Sequence, residues 1–296
     1  MNDGTFYNGL QDKTSRSYPM FQRAFLKWPG GKYRVLDRIL SRLPAKKQLI
    51  EPFVGSAVVF MNADFEHYIL NDVNPDLMNV YEQLKIQGSA LIQEMKSYFQ
   101  PKHNRPLSYY KFRRQFNECQ DKTQRAALFL YLNRHGFNGL CRYNQSGVYN
   151  VPFGQYPKVY FPEQELQRCH EKLSRATLLC TGFEQAMDQA CNHSVIYADP
   201  PYIPLSSTAQ FTAYASTPFG EREHRLLAQK AHQLAQKGVT VLLSNHDTAL
   251  SRTLYRGAQL DSFEVARHIS ARVKGRQPVQ ELLALFNEDH HENQKT

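Results

Sequence analysis

The chain has 296 residues, enough for one elaborated domain or two coupled ones. Its formal net charge is +9. A folded protein this basic usually binds a polyanion, with nucleic acid as the first candidate and mere solubility as the alternative. No run approaches the roughly 18 consecutive apolar residues of a membrane-spanning helix. The five cysteines form no C-x-x-C pair, which favours reduced thiols in a cytoplasmic protein without a metal site.

The two ends of the chain are polar and irregular. Residues 1–22 lack the apolar core of a secretory signal, and we expect them to form a flexible extension. Residues 289–296 are predicted to be a flexible tail. Between these ends there is no internal repeat and no low-complexity segment.

The first structured segment predicts a β-α-β unit. Residues 48–50 indicate a short strand that leads into a turn containing Gly55, residues 57–62 the start of a helix, and residues 67–70 a second strand. Asp72 follows that strand, at nearly the spacing from Gly55 at which an acid binds ribose hydroxyls in nucleotide-binding folds. A G-x-x-x-x-G-K-[ST] loop is absent from the sequence, so a nucleoside triphosphate is not indicated. A cofactor with a ribose but no phosphates, such as S-adenosylmethionine, fits better.

The sheet pattern stops between about residues 75 and 161, which are rich in Tyr, Phe, Arg, Lys and Asn. Residues 124–133 predict an amphipathic helix. Glycine-rich turns with interleaved aromatic, Asn and Arg side chains then follow, a composition typical of a surface that recognises and stacks on bases. A loop-rich hairpin that merely packs on helices is the alternative.

The tetrapeptide Asp199-Pro200-Pro201-Tyr202 follows the apolar run 195–198, which predicts a buried strand. Ligands of open α/β sheets bind at the carboxyl ends of such strands. The prolines restrict the backbone, so Asp199 is held with little freedom. The Asp199 carboxylate and the Pro200 carbonyl can each accept one N–H from an exocyclic amino group, while the Tyr202 ring stacks on its heterocycle. An incidental aspartate in a strand-to-turn transition is the alternative.

The remainder of the chain returns to strand and helix alternation. Residues 221–237 predict an amphipathic helix that ends at Gly238, and residues 239–244 predict a strand. Residues 264–269 and 282–286 are interpreted as an antiparallel pair. The basic residues between them (Arg272, Lys274 and Arg276) either face phosphates or are simply solvated. The whole pattern predicts one α/β domain interrupted by an inserted recognition domain.

Five motifs in this order make the chain resemble a known family. They are Phe25-Leu26-Lys27-Trp28-Pro29-Gly30-Gly31-Lys32, Glu51-Pro52-Phe53-Val54-Gly55, Tyr131 through Asn144, Asp199-Pro200-Pro201-Tyr202 and Ser244-Asn245-His246-Asp247. From about Arg23 to Phe286 the chain resembles the Dam-type DNA adenine-N6 methyltransferases of the alpha class, which modify adenine in GATC.

The resemblance implies a Rossmann-like, S-adenosylmethionine-dependent methyltransferase sheet. It also implies an inserted, mainly helical target-recognition domain that carries a β-hairpin. The catalytic domain is then expected at residues 23–74 and 163–288, and the recognition domain at residues 75–162. Double-stranded DNA is the implied partner, with no membrane and no obligate protein partner, in the cytoplasm of a bacterium or from a phage.

The resemblance also implies roles for individual residues. The implied cofactor-binding residues are Trp28, Lys32, Phe53, Gly55, Asp72 and Asp199. The implied catalytic residues are Asp199, Pro200 and Tyr202. The implied DNA-binding residues are Lys27, Phe137, Asn138, Leu140, Arg142, Asn150, Pro152, Gln155 and Tyr156. No metal is implied.

Three positions depart from the family pattern. Ala57 stands where the cofactor turn usually has glycine, and its Cβ is expected to reduce cofactor affinity. Pro29 stands where alanine is more common and stiffens its loop. Gln155 replaces a basic residue. Because Gln prefers adenine and Arg prefers guanine, recognition of the outer base is expected to be relaxed or shifted.

Two other functions stay open at this point. One is a methyltransferase acting on RNA or protein, although an Asn-Pro-Pro-Tyr tetrapeptide would be expected for amide acceptors. The other is a catalytically silent DNA-binding protein on a methyltransferase scaffold. The intact tetrapeptide and Asp72 argue against the second alternative.

Overall fold

A computed structural model describes residues 21–205, 219–265 and 278–288. The predicted tail, nearly all of the predicted N-terminal extension and the basic residues 272, 274 and 276 lie outside these ranges. Among the described residues, no helix is both long and apolar enough to cross a membrane.

Seven strands form a single sheet within the described part of the chain. They are β1 (Gln48–Glu51), β2 (His67–Asn71), β3 (Ala176–Leu179), β4 (Ser194–Ala198), β5 (Thr240–His246), β6 (Gln259–Val265) and β7 (Val279–Phe286), in the spatial order β3-β2-β1-β4-β5-β7-β6. Strands β1 to β5 pair in parallel, and β7 pairs antiparallel with both β5 and β6. The strand order reverses direction between β1 and β4, where open α/β sheets bind ligands. The predicted Rossmann-like sheet is therefore confirmed.

Strand β4 lies at the centre of the sheet because its residues are apolar on both faces. Val195 and Tyr197 pack into one hydrophobic cluster, whereas Ile196 and Ala198 pack into a second cluster on the opposite face. A parallel strand covered on both faces needs such a continuous apolar run. The run that predicted the strand is thus the one that places Asp199 at the carboxyl edge.

The last two strands pair antiparallel, as predicted, but β6 begins at Gln259 rather than at residue 264. Most of its side chains are exposed or half-buried, because β6 is the edge strand of the described sheet. The polar residues of an edge strand give no apolar run to detect, so its start could not be found from the sequence.

Ten α-helices accompany the sheet in the described residues. They are α1 (Leu36–Leu40), α2 (Val58–Asn62), α3 (Pro75–Gln87), α4 (Ser89–Ser97), α5 (Pro106–Glu118), α6 (Lys122–His135), α7 (Glu163–Leu173), α8 (Phe183–Met187), α9 (Glu221–Ala235) and α10 (Ala249–Leu254). Helices α3 to α7 are inserted between β2 and β3. The insertion shares one hydrophobic cluster with a face of the sheet, since Tyr81 and Leu130 belong to the same cluster as Leu49.

Helix α6 is the central helix of the insertion. It was predicted to be amphipathic, and that prediction is wrong. All residues from Ala126 to Asn133 are buried, because α3, α4 and α5 pack around it. The buried Asn133 satisfies its amide on the backbone of Lys27. Its Oδ1 accepts from the Lys27 nitrogen at 2.9 Å, and its Nδ2 donates to the Lys27 carbonyl at 2.7 Å. The helix thereby fixes the N-terminal motif.

Residues 136–156 form the hairpin that follows α6, called the recognition hairpin below. Isolated antiparallel bridges join Gly136 to Phe153 and Tyr143 to Tyr149. A turn closes the hairpin, in which the Asn144 nitrogen donates to the Val148 carbonyl at 3.0 Å. The predicted hairpin is present, with two separate bridges in place of a continuous ladder.

Candidate active site and nucleic-acid interface

The turn after β1 and the acid after β2 are in direct contact. The Asp72 carboxylate accepts the Gly55 backbone N–H at 3.2 Å and the Asn74 backbone N–H at 3.0 Å. The Tyr81 hydroxyl donates to the Gly55 carbonyl at 2.7 Å, so the turn is held from both sides. Burial raises the pKa of Asp72 to about 6, although its backbone hydrogen bonds oppose the rise. The predicted proximity of Gly55 and Asp72 is observed.

The indole of Trp28 covers this turn. A Cβ atom at Gly55 would lie 2.9 Å from both Cδ1 and Nε1 of Trp28, and Gly55 has a φ of +48°. Only glycine therefore fits beneath the indole. Ala57 is fully buried and has a φ of +58°, a left-handed conformation that costs a non-glycine residue about 1–2 kcal/mol. The departure at Ala57 is thus a matter of backbone strain as well as of space.

Phe53 belongs to a cluster of three aromatic rings. It stacks on Phe183 with ring centroids 5.6 Å apart and meets Phe219 edge to face at 5.5 Å. Phe183 begins α8, soon after β3, and Phe219 precedes α9. Sequence reasoning missed both, and the only available signal was their position after a predicted strand or before a predicted helix. The cluster forms an apolar wall beside the glycine turn.

Asp199 is paired with Lys32 at the carboxyl end of β4. The Lys32 Nζ lies 2.9 Å from Asp199 Oδ2, donates to the Gly30 carbonyl at 2.6 Å and stands 4.6 Å from the centroid of the Tyr202 ring. Asp199 Oδ1 is buried without a hydrogen-bond partner among the described residues. Burial raises the pKa of Asp199, and the Lys32 ammonium opposes that rise. Pro200 is buried beside this pair.

The loop that carries Tyr202 is held by the end of β5. The Asn245 Oδ1 accepts from the Ile203 nitrogen at 2.9 Å, and the Asn245 Nδ2 donates to the Tyr255 hydroxyl at 2.8 Å. The His246 ring meets the Tyr202 ring edge to face at 4.8 Å. The motif that begins at Ser244 therefore supports the tyrosine. Its last member, Asp247, instead pairs with Arg252 of α10.

A second carboxyl group is buried at the same edge. Glu51 ends β1, only 2% of its surface is exposed, and its Oε1 has no hydrogen-bond partner in the described structure. Burial raises the pKa of Glu51 to about 8. A deeply buried carboxyl group that keeps one oxygen without a partner at a ligand edge suits a positively charged ligand.

Lys27 lies at the base of the recognition hairpin. Its Nζ donates to the Arg134 carbonyl at 3.1 Å and lies 3.9 Å from the centroid of the Tyr156 ring. The Tyr156 hydroxyl accepts the Asn138 backbone N–H at 2.9 Å. Burial next to Arg134 lowers the pKa of Lys27 to about 8. Three predicted DNA-binding residues are thus brought together.

The other predicted DNA-binding residues lie along the recognition hairpin. Arg142 and Asn150 face each other across it, with Arg142 Nε donating to Asn150 Oδ1 at 2.7 Å. Gln155 is exposed and has a φ of +51°, and Asn138 has a φ of +53°. Such strain persists only where the surrounding structure enforces it, and it is common at binding sites. The remaining members are exposed or half-buried on the same hairpin: Phe137, Leu140 and Pro152.

A buried carboxylate that the sequence did not reveal anchors this hairpin. Asp76, in the first turn of α3, receives Arg125 Nε at 2.5 Å, Arg125 Nη2 at 3.0 Å and the Tyr143 hydroxyl at 2.6 Å. Asn74 caps the same helix and donates to Cys141 Sγ at 3.5 Å. The hairpin is therefore tied to the loop that carries Asp72.

The doubly wound sheet, the glycine turn beside Asp72 and the loop of Asp199 define an α/β enzyme of the Rossmann-like methyltransferase class. The sequence profile of the D12 class N6 adenine-specific DNA methyltransferases matches residues 28–269, and the chain belongs to this family.

Named relatives agree with the family. A "DNA adenine methylase" of Vibrio cholerae serotype O1 (strain O395) is 52% identical over 266 residues, which cover 90% of this chain and 96% of the relative. Proteins of the same name from Escherichia coli (strain K12) and Serratia marcescens are each 48% identical. The first match covers 89% of this chain and 95% of the relative, and the second covers 89% and 98%. The resemblance inferred from the five motifs is confirmed, and the enzyme is an adenine-specific DNA methyltransferase.

Proposed function

We propose that the enzyme transfers the methyl group of S-adenosylmethionine to N6 of an adenine flipped out of double-stranded DNA, within the sequence GATC. The observation that carries this proposal is the arrangement around Asp199. Its carboxylate lies at the carboxyl end of β4, and one of its oxygens has no partner among the described residues. The aromatic ring of Tyr202 lies close to the lysine that binds the other oxygen. These are the acceptor and the stacking surface that a flipped adenine needs.

The residues at the sheet edge fit S-adenosylmethionine. The buried Glu51 oxygen without a partner among the described residues suits a ligand that carries an ammonium group. The ribose would bind Asp72, and the turn at Gly55 has no room for a Cβ atom beneath Trp28. Phe53, with the rings it contacts, would pack against the adenine base of the cofactor. The chemistry that bound S-adenosylmethionine supplies is an electrophilic methyl group.

The protein has to make a poor nucleophile react. The lone pair of the N6 nitrogen is delocalised into the purine ring. Asp199 and the carbonyl of Pro200 would accept its two hydrogens and favour a tetrahedral nitrogen, while Tyr202 holds the base plane. These hydrogen bonds strengthen as positive charge develops, so Asp199 stabilises the transition state more than the ground state. Lys32 counteracts the effect of burial and helps to keep Asp199 ionised as an acceptor.

DNA would bind along the recognition hairpin. Lys27 and Asn138 lie together at its base, while Arg142 and Asn150 lie on its arms. Arg and Asn make the common bidentate contacts to guanine and adenine. The net charge of +9 favours phosphate contacts and predicts binding that weakens steeply with salt. With Gln155 exposed on the hairpin, the outer base pair is expected to be recognised less strictly than the inner ones.

The test replaces Asp199 by Ala. Asp199→Ala is expected to bind duplex GATC DNA nearly as well as the wild type and to lose methyl transfer from radiolabelled cofactor. Asp64→Ala provides a matched control, because the Asp64 side chain is 97% exposed. DNA from cells that express each variant is then digested with a nuclease that cuts only unmethylated GATC. Full protection by Asp199→Ala, or a preference of the wild type for RNA or protein, would contradict the proposal.

A further inference from the structure

Strand β7 brings a glutamate to the active site. Glu281 lies opposite His246 on β5 and opposite Phe263 on β6. The Tyr202 hydroxyl donates to Glu281 Oε2 at 3.1 Å. Because β7 runs antiparallel to β5, the first residues of β7 lie at the edge where β5 ends. Glu281 is therefore placed at the hydroxyl end of the ring that would stack on the target base.

We propose that Glu281 is a positioning residue for methyl transfer. It fixes the ring of Tyr202 through the hydroxyl and adds a second negative charge near Asp199, where the substrate becomes cationic. This inference rests on the proposed function. The N6 lone pair forms the new bond to the methyl carbon, and the carbon–sulfur electrons return to sulfur. The resulting N6 cation then loses one proton to the Asp199 carboxylate.

The charges around Asp199 determine what a second carboxylate contributes to the reaction. The groups that face Asp199 are Lys32 from the N-terminal loop, Glu51 from β1, Tyr197 from β4, Tyr202 from the following loop and Glu281 from β7. Lys32 offsets the charge of Asp199, and the ammonium group of the bound cofactor would offset that of Glu51. Among the described residues, the remaining negative charge that acts on Asp199 is that of Glu281. A fixed charge of this sign stabilises a cation that forms only in the transition state.

Glu281 also affects the protonation of Asp199. Burial raises the pKa of Asp199, Lys32 opposes the rise, and the negative charge of Glu281 adds to it. Removing that charge should therefore lower the pKa of Asp199. A variant without it should react more slowly but keep its activity to lower pH. A purely structural support for Tyr202 would not extend the activity to lower pH, because the Tyr202 hydroxyl itself lowers the pKa of Asp199.

The experiment compares Glu281→Gln, Tyr202→Phe and the control Glu264→Gln. Gln keeps an acceptor for the tyrosine hydroxyl but carries no charge, whereas Tyr202→Phe removes the hydrogen bond and keeps the charge. Glu264 lies on β6 beside the start of β7 and is exposed. The measurement is the single-turnover methylation rate constant between pH 5 and 9 on duplex GATC, together with cofactor and DNA affinities.

Glu281→Gln should lower the rate constant about tenfold, shift the acidic limb of the pH profile to lower pH and leave both affinities within about twofold. Tyr202→Phe should slow the reaction and move that limb to higher pH instead, because the Tyr202 hydroxyl lowers the pKa of Asp199. Glu264→Gln should match the wild type. An unshifted limb for Glu281→Gln, or a wild-type rate, would overturn the inference. If the wild type itself fails to methylate adenine in the duplex, the proposed function fails instead.

Discussion

Replacing Tyr143 by Phe tests how the recognition hairpin is anchored. The Tyr143 hydroxyl donates to Asp76 at 2.6 Å, and the ring also packs edge to face against Tyr149 at 5.6 Å. The substitution deletes only the hydroxyl and keeps the ring. The hairpin therefore loses this polar tie to α3, while the contact of Asn74 with Cys141 and the apolar packing persist.

The expected loss follows from the hydrogen-bond partners of Asp76. A hydrogen bond to a charged group contributes about 1.5–3 kcal/mol. Arg125 keeps both of its contacts to the carboxylate, so no buried charge is left without a partner. The low end of the range applies, and the free energy of unfolding should fall by about 1.5 kcal/mol. Where the hairpin must stay docked to bind DNA, the same loss weakens duplex affinity by up to about tenfold.

Urea unfolding and duplex binding measure these two effects. Tyr160→Phe is the matched control, since Tyr160 is 55% exposed and its hydroxyl donates to Glu165 at the surface. The control should change the free energy of unfolding by less than about 0.5 kcal/mol. If Tyr143→Phe were no less stable than the control, the reasoning about Asp76 would be refuted. A destabilised variant with unchanged DNA affinity would show that the hairpin docks without this anchor.

Two further predictions concern buried carboxyl groups. The pKa of Asp72 is about 6, so its carboxylate becomes protonated below that pH, and cofactor affinity should then fall by up to about tenfold per pH unit. The fluorescence of Trp28, the single tryptophan, should report the binding. A flat affinity between pH 5 and 7 would contradict this. Folding raises the pKa of Glu51 from 4.5 to about 8, so the folded state holds a proton that the unfolded chain releases. Urea unfolding of the wild type and of Glu51→Gln at pH 5, 7 and 9 measures the consequence. The free energy of unfolding of the wild type should fall relative to that of Glu51→Gln as the pH rises to about 8, by up to about 1.4 kcal/mol per pH unit. It should not fall further above about pH 8. A difference that does not change with pH would exclude a buried, protonated Glu51.

Local sequence patterns predict those parts of the fold and of the site that depend on residues close together in the chain. The apolar run before Asp199 predicts β4, and the spacing of Gly55 and Asp72 predicts two adjacent loops at one edge of a parallel sheet. The order of the five motifs was sufficient to recognise the family, because each motif combines turn-forming residues with chemically required side chains. These signals lie within short stretches of chain, so they can be detected without the fold.

Only the tertiary structure decided which distant residues support the site. Glu281 reaches Tyr202 because β7 inserts between β5 and β6, and no short motif encodes that pairing. Asp76 meets Tyr143 because α3 packs beside the recognition hairpin, across 67 positions of sequence. Helix α6 was predicted to be amphipathic, but all of its residues from Ala126 to Asn133 are buried, since neighbouring helices of the insertion pack around it. Long-range packing and strand order depend on residues that are far apart in the sequence. Local periodicity therefore does not predict them.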